Sequence, residues 1–106
     1  MMMTTKEILI AARAKIEREE NWTRGAYARD WAGGVRLPQS EAAVCFCALG
    51  AVRSVQCHYE EGDRAIFALR HEISGTPVSD FNDNPATTHA DILALFDRAI
   101  RKAGEL

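Results

Sequence analysis

Apolar and polar positions along this chain switch between a helical and an alternating period, and each switch marks an element. Ile8, Leu9, Ala12 and Ile16 recur three and four apart, with Lys6, Arg13, Glu17 and Arg18 on the other faces. Thr4 and Glu7 ahead of them form a Thr-x-x-Glu capping box, in which each side chain satisfies a backbone N–H that the first turn leaves open. The pattern predicts a first helix over about residues 5–20. Residues 21–39 then lose the helical period. Tyr27 and Arg29 alternate with Ala26 and Ala28, and Gly33-Gly34 can supply the positive φ angles of a tight turn. Val35-x-Leu37 alternates on the far side, so a short β-hairpin or a pair of extended arms is expected, closed by Pro38.

The stretch Ala42–Val52 has no charged or strongly polar side chain. A segment apolar all the way round is buried on every side, as a central helix or a buried strand. Eleven residues are too few to cross a bilayer, which takes about 20 in a helix. With Ser40 as its N-cap, the run predicts a central helix from Glu41 to about Tyr59, on which the other helices pack. Asp63 is placed to cap a third helix, Arg64 to about Ile73. Residues 74–87, rich in Ser, Gly, Pro, Asn and Asp, read as a connector with Val78 and Phe81 turned inward. Thr88 and Asp91 form a second capping box, and Ile92, Leu95, Phe96, Ala99 and Ile100 make a clean apolar stripe, predicting a last helix over about 88–103. The expected fold is mainly α. It is a single domain over residues 1–106, with four helices around the buried 42–52 segment, a short hairpin between the first two, and residues 1–4 disordered.

Composition adds a class. At 47% hydrophobic and 26% charged residues, the chain carries enough apolar surface for one packed core. Its net charge of −2 and scattered arginines provide no basic field, which argues against nucleic acid and against an anionic membrane surface. Three cysteines cannot form a complete disulfide set, and two of them sit in the apolar run, where free cysteine behaves as a small hydrophobe. With no apolar segment after Met1-Met2-Met3 to suggest a secretory signal, a reducing cytoplasm is the expected compartment.

Candidate chemistry is sparse. On a helix, Cys45 and Cys47 point about 200° apart and cannot share a metal ion. On an extended segment they could face the same way, but no second Cys or His pair completes a tetrahedral site. No metal and no cofactor is therefore expected. Cys47 is the candidate nucleophile, with His58, His71 or His89 as base and Asn82 or Asp83 as orienter. Spacing selects none of these histidines, and burial would hold the thiol protonated and inert. Asn82-Asp83-Asn84-Pro85 has the side chains of a turn that bonds its own backbone, or of a pocket rim that presents an amide and a carboxylate. Trp22, Tyr27 and Trp31 lie in the irregular segment, either covering the end of the core or forming an interface patch. Gly50 inside an expected helix points to another backbone, most simply that of a second helix, approaching closely.

Three stretches taken together resemble a family of small bacterial and bacteriophage proteins described only as a domain of unknown function. They are Trp22-Thr23-Arg24-Gly25-Ala26, Cys47-Ala48-Leu49-Gly50-Ala51 and Phe81-Asn82-Asp83-Asn84-Pro85. Phe81 stands where the family pattern has tryptophan, and Cys45 is an addition to it. The resemblance implies a fold, no activity, and a meeting of the three stretches in space. The leading functional reading is a non-catalytic cytoplasmic binding or accessory domain, engaging a protein partner or a second copy of itself. Its candidate binding residues are Trp22, Tyr27, Trp31, Asn82 and Asp83. The alternative is a small hydrolase or transferase that uses Cys47 with a histidine.

Overall fold

The computed structural model describes residues 2–104. In chain order the elements are α1 (Thr5–Lys15), a turn of 3-10 helix (Glu19–Asn21), β1 (Ala28–Arg29), β2 (Val35–Arg36), β3 (Cys45–Phe46), α2 (Ala48–Ser54), α3 (Tyr59–His71), α4 (Val78–Asp83) and α5 (His89–Gly104). The helix on which the others assemble is α1, which packs against α5, α2 and α3. Its Ile8, Leu9 and Ala12, with Ile16 at its C-cap, are fully buried, and full burial of each large aliphatic side chain stabilises by about 1.5–3 kcal/mol. The mainly α reading holds, but in place of four helices around residues 42–52 the described residues form five α-helices, of which α2, α3 and α5 pack on α1.

The first capping box forms as expected. Thr4 Oγ1 accepts the Glu7 N–H at 3.1 Å and Glu7 Oε1 accepts the Thr4 N–H at 2.8 Å. Of the terminus expected to be disordered, Met1 lies outside the described residues. Thr4 caps α1, and the Met3 N–H donates to Glu61 Oε2 at 3.1 Å. The helix stops at Lys15, short of the expected residue 20, because the Glu17–Glu20 run offers no further apolar residue to hold against the core. The Ile16 carbonyl instead meets His89 Nε2 at 2.7 Å.

The expected central helix is not continuous: α2 ends at Ser54 and Tyr59 already starts α3. Ala42–Val44 is loop, where Ser40 Oγ accepts the Ala42 N–H at 3.1 Å and so closes a turn without capping a long helix. Cys45 and Phe46 are strand, paired antiparallel with Arg29 and Ala28. Only from Ala48 is the run helical. A continuous apolar run suits a buried strand and a buried helix equally, so its local pattern could not divide it. Glu60-Glu61-Gly62, between the expected central and third helices, instead lies in the first turns of α3. Glu61 Oε1 accepts the His58 N–H at 3.0 Å, and acidic side chains suit the positive end of the helix dipole. Asp63 lies inside α3 and pairs with Arg53 at 2.5 Å.

The sheet order is β2-β1-β3, with both pairings antiparallel. Ala28 and Phe46 face the core, so the alternation in the sequence translates directly into an inner and an outer face. The hairpin forms where Gly33-Gly34 indicated, with Gly33 at φ 87°. The connector expected over 74–87 contains α4, a six-residue helix that starts after Pro77 and carries Asn82 into the interior. The last helix appears as read: Thr88 and Asp91 bond reciprocally at 2.9 and 3.1 Å, and Ile92, Leu95, Phe96 and Ala99 are buried.

Candidate binding surface

The centre of the candidate region is the Asn82 side chain, fully buried at 0% exposure. Its Oδ1 accepts the Trp22 indole N–H at 2.7 Å and the Ala48 N–H at 2.9 Å. Its Nδ2 donates to the Thr23 carbonyl and to Asp83 Oδ1, both at 3.0 Å. Asp83 Oδ1 also accepts the Gly25 N–H at 3.0 Å. The stretches around Trp22, Cys47 and Asn82 therefore meet in one polar knot. Every polar atom of the Asn82 amide is spent on it, which is how a buried amide avoids its desolvation cost.

The Cys-Ala-Leu-Gly-Ala stretch has its own geometry in this knot. Cys47 is the N-cap of α2, and its Sγ accepts the Gly50 N–H at 3.2 Å. The Ala48 N–H, left open at the helix start, is taken by Asn82. The Tyr27 carbonyl accepts the Cys47 N–H at 3.1 Å and passes so close to Gly50 that a Cβ there would lie 1.8 Å from it. The backbone expected against Gly50 is thus the chain entering β1, and not a second helix. The family model for DUF6197 matches residues 1–102, nearly the whole chain.

The chain belongs to this family of unknown function.

No curated protein and no solved structure matches the chain. In this member of DUF6197 the five candidate binding residues separate into two groups. Trp22 and Asn82 are internal to the knot. The Trp22 indole also lies under the Arg24 guanidinium at 4.6 Å and beside the His89 ring at 5.8 Å. Tyr27 and Trp31 are exposed, Trp31 by 92%, and Asp83 is exposed at the end of α4. Tyr27 and Asp83 line a common groove of about 310 Å³, together with Gly25, Ala26, Val35, Cys47 and Ser79. Asp83 Oδ1 is engaged by Gly25 and Asn82, while its Oδ2 makes no hydrogen bond among the described residues. Val35 and Leu37 extend the exposed apolar surface along the hairpin. They were visible in the sequence only as the far arm of the turn.

One carboxylate clasps the hairpin that carries Trp31, beside the backbone bonds of Asp30 with Gly33 and Gly34. Asp30 accepts the Gly34 N–H at 2.8 Å, the Ala32 N–H at 3.0 Å and Arg36 Nε at 2.8 Å. The hydrogen-bonded Arg36 guanidinium, followed by these backbone donors, holds the Asp30 carboxyl below the usual carboxylate range. A depressed folded-state pKa means the carboxylate's support of the turn is complete above the unfolded value of about 3.9 and is lost as pH falls through the folded value. The Ala32 and Gly34 amide resonances should therefore titrate with a midpoint below about 3.9. A midpoint at or above that value would remove Asp30 as the clasp.

Cys47 reaches the groove with only 2% of its surface exposed. Burial pushes its thiol pKa up, against the partial opposition of the Gly50 and Leu49 amides. Its sulfur accepts a backbone N–H, and among the described residues no histidine nitrogen bonds it. His58 and His71 are exposed, and His89 is engaged by Ile16. Under native conditions a small thiol reagent should modify the half-buried Cys45 and Cys57 at least about ten-fold faster than Cys47, since modification of Cys47 needs the molecule to open. Peptide mapping by mass spectrometry over a time course reads the order. Equal rates at Cys47 and Cys45 would contradict the capping role. Among the described residues no three His, Cys, Asp or Glu side chains group as metal ligands, and no helix is long and apolar enough to cross a membrane.

Proposed function

We propose that this protein is a non-catalytic binding domain that recognises a protein partner through the tip and outer face of its hairpin. The observation that carries the reading is Trp31. A whole indole stands 92% exposed on a turn that one carboxylate clasps at three points. Exposed tryptophan and tyrosine on a preorganised element have the composition of interface anchors, because they bury a large area on binding with few torsions left to freeze. Tyr27, Val35 and Leu37 continue that surface, and the adjoining groove offers Asp83 Oδ2 as an acceptor for a donor or a cation on the partner. The three free cysteines fit work in a reducing cytoplasm. What weighs against the cysteine hydrolase or transferase is the sealed thiol, whose pKa is raised and whose sulfur already accepts a backbone N–H.

The test places a photo-reactive amino acid at position 31, and separately at the exposed control position 60, in cells that make the protein. One defined adduct is expected from position 31 and none of that mass from position 60. Its yield should fall at least about ten-fold when Leu37→Ala and Tyr27→Ala are combined, with the melting temperature unchanged, because exposed side chains contribute within about 0.5 kcal/mol to stability. An adduct with the chain itself identifies the partner as a second copy. Adducts no different from those at position 60 would overturn the reading.

A further inference from the structure

A larger cleft of about 480 Å³ opens between the 38–43 segment, the α2–α3 connection and the end of α1. It shares no lining residue with the hairpin groove. Its apolar part is Pro38, Ala43, Phe46, Val52 and Val55, of which Ala43 and Val55 are half-buried and the others buried. Two charged groups of opposite sign line it, Lys15 and Glu41, and among the described residues neither forms a salt bridge with the other or with any further group. Lys15 Nζ stands 5.7 Å from the centre of the Phe46 ring, so its charge sits over the apolar part of the cleft. The other cation on the wall, Arg53, is already compensated. Its guanidinium lies 3.9 Å from the Tyr59 ring centre and pairs with Asp63, and its carbonyl accepts Gln39 Nε2 at 3.1 Å, which ties the two walls together.

We infer that this cleft binds a free α-amino acid with an apolar side chain, its carboxylate at Lys15, its ammonium at Glu41 and its side chain against Val55 and the open edge of Phe46. A monoanion would leave Glu41 facing it as a like charge, and a monocation would leave Lys15 so. A zwitterion answers both, and the volume falls in the range of small-molecule sites.

Three probes that differ only in charge separate the alternatives: L-phenylalanine, 3-phenylpropionate and phenethylamine, each titrated into the isotopically labelled protein and followed by amide shifts of residues 38–43 and 53–59. Phenylalanine is expected to saturate at least about ten-fold below the concentration either monoion needs. Lys15→Ala should weaken phenylalanine and phenylpropionate and leave phenethylamine no weaker, whereas Glu41→Gln should weaken phenylalanine and phenethylamine and leave phenylpropionate no weaker. Both side chains are exposed, so neither change should move the melting temperature. Phenylpropionate binding as tightly as phenylalanine, phenylalanine affinity unchanged in Lys15→Ala, or no saturable shift with any probe would each overturn the assignment.

Discussion

Asn82→Leu is expected to destabilise the fold by about 3–5 kcal/mol, since removing the partner of a buried polar group costs about 1–3 kcal/mol for each group left unsatisfied. Three groups would be stranded: the Trp22 indole N–H, the Ala48 N–H at the start of α2 and the Thr23 carbonyl. Leucine matches asparagine in branching but is larger, so some overpacking adds to the lost bonds. Urea unfolding followed by tryptophan fluorescence reads both the midpoint and the surroundings of Trp22. Asn82→Asp separates the two halves of the amide. It keeps an oxygen for Trp22 and Ala48, loses the donor to Thr23, and sets a second carboxylate against Asp83, so it should fall between wild type and Asn82→Leu near pH 7. A change below about 1 kcal/mol for Asn82→Leu would mean that the knot is not what joins α4 to α2 and to the chain before β1.

Gly50→Ala puts two principles in opposition, and the geometry decides between them. Alanine is favoured over glycine inside a helix by about 1 kcal/mol, so propensity alone predicts a gain. The added Cβ, however, would lie 1.8 Å from the Tyr27 carbonyl oxygen and 2.6 Å from its carbon. Both are backbone atoms, and the oxygen is held by the Cys47 N–H at 3.1 Å. Relief requires moving either the chain into β1 or the first turn of α2, which breaks the junction between sheet and helix. Overpacking of this kind costs about 1–3 kcal/mol where side chains can give and more where backbone must. A net loss of about 3 kcal/mol or more is expected, measured as a shift in the urea midpoint at unchanged slope. A stabilised Gly50→Ala protein would show that the Tyr27 carbonyl does not approach the helix as described.

The candidate residues were legible to different depths. The three stretches Trp22–Ala26, Cys47–Ala51 and Phe81–Pro85 could be picked out of the sequence, and their meeting could be expected. Which of their side chains would be consumed by the meeting could not. Trp22 and Tyr27 are both aromatic residues of one irregular segment, yet one donates to Asn82 and the other stands in solvent. The cleft at Lys15 and Glu41 left no local trace, because its walls come from segments far apart in the chain and from two charged residues that look like any solvated pair.

What the sequence determined by itself was whatever a single segment decides from its own neighbours. Side chains three and four residues apart set the helical faces of α1 and α5, two capping boxes marked their starts, and Gly33-Gly34 marked the hairpin turn. These signals act within a few residues and need no partner. What only the tertiary structure decided was the fate of segments whose local preferences were balanced or weak. The apolar run 42–52 suited strand and helix alike, and pairing with β1 drew Cys45 and Phe46 into the sheet while Asn82 and Cys47 set the start of α2 at Ala48. The six residues of α4, too few to be stable as an isolated helix, form one because burying Val78 and Asn82 stabilises what propensity does not. Long-range contacts chose between conformations that the local sequence left close in energy, and that choice placed Trp31, Tyr27 and Asp83 on the surface.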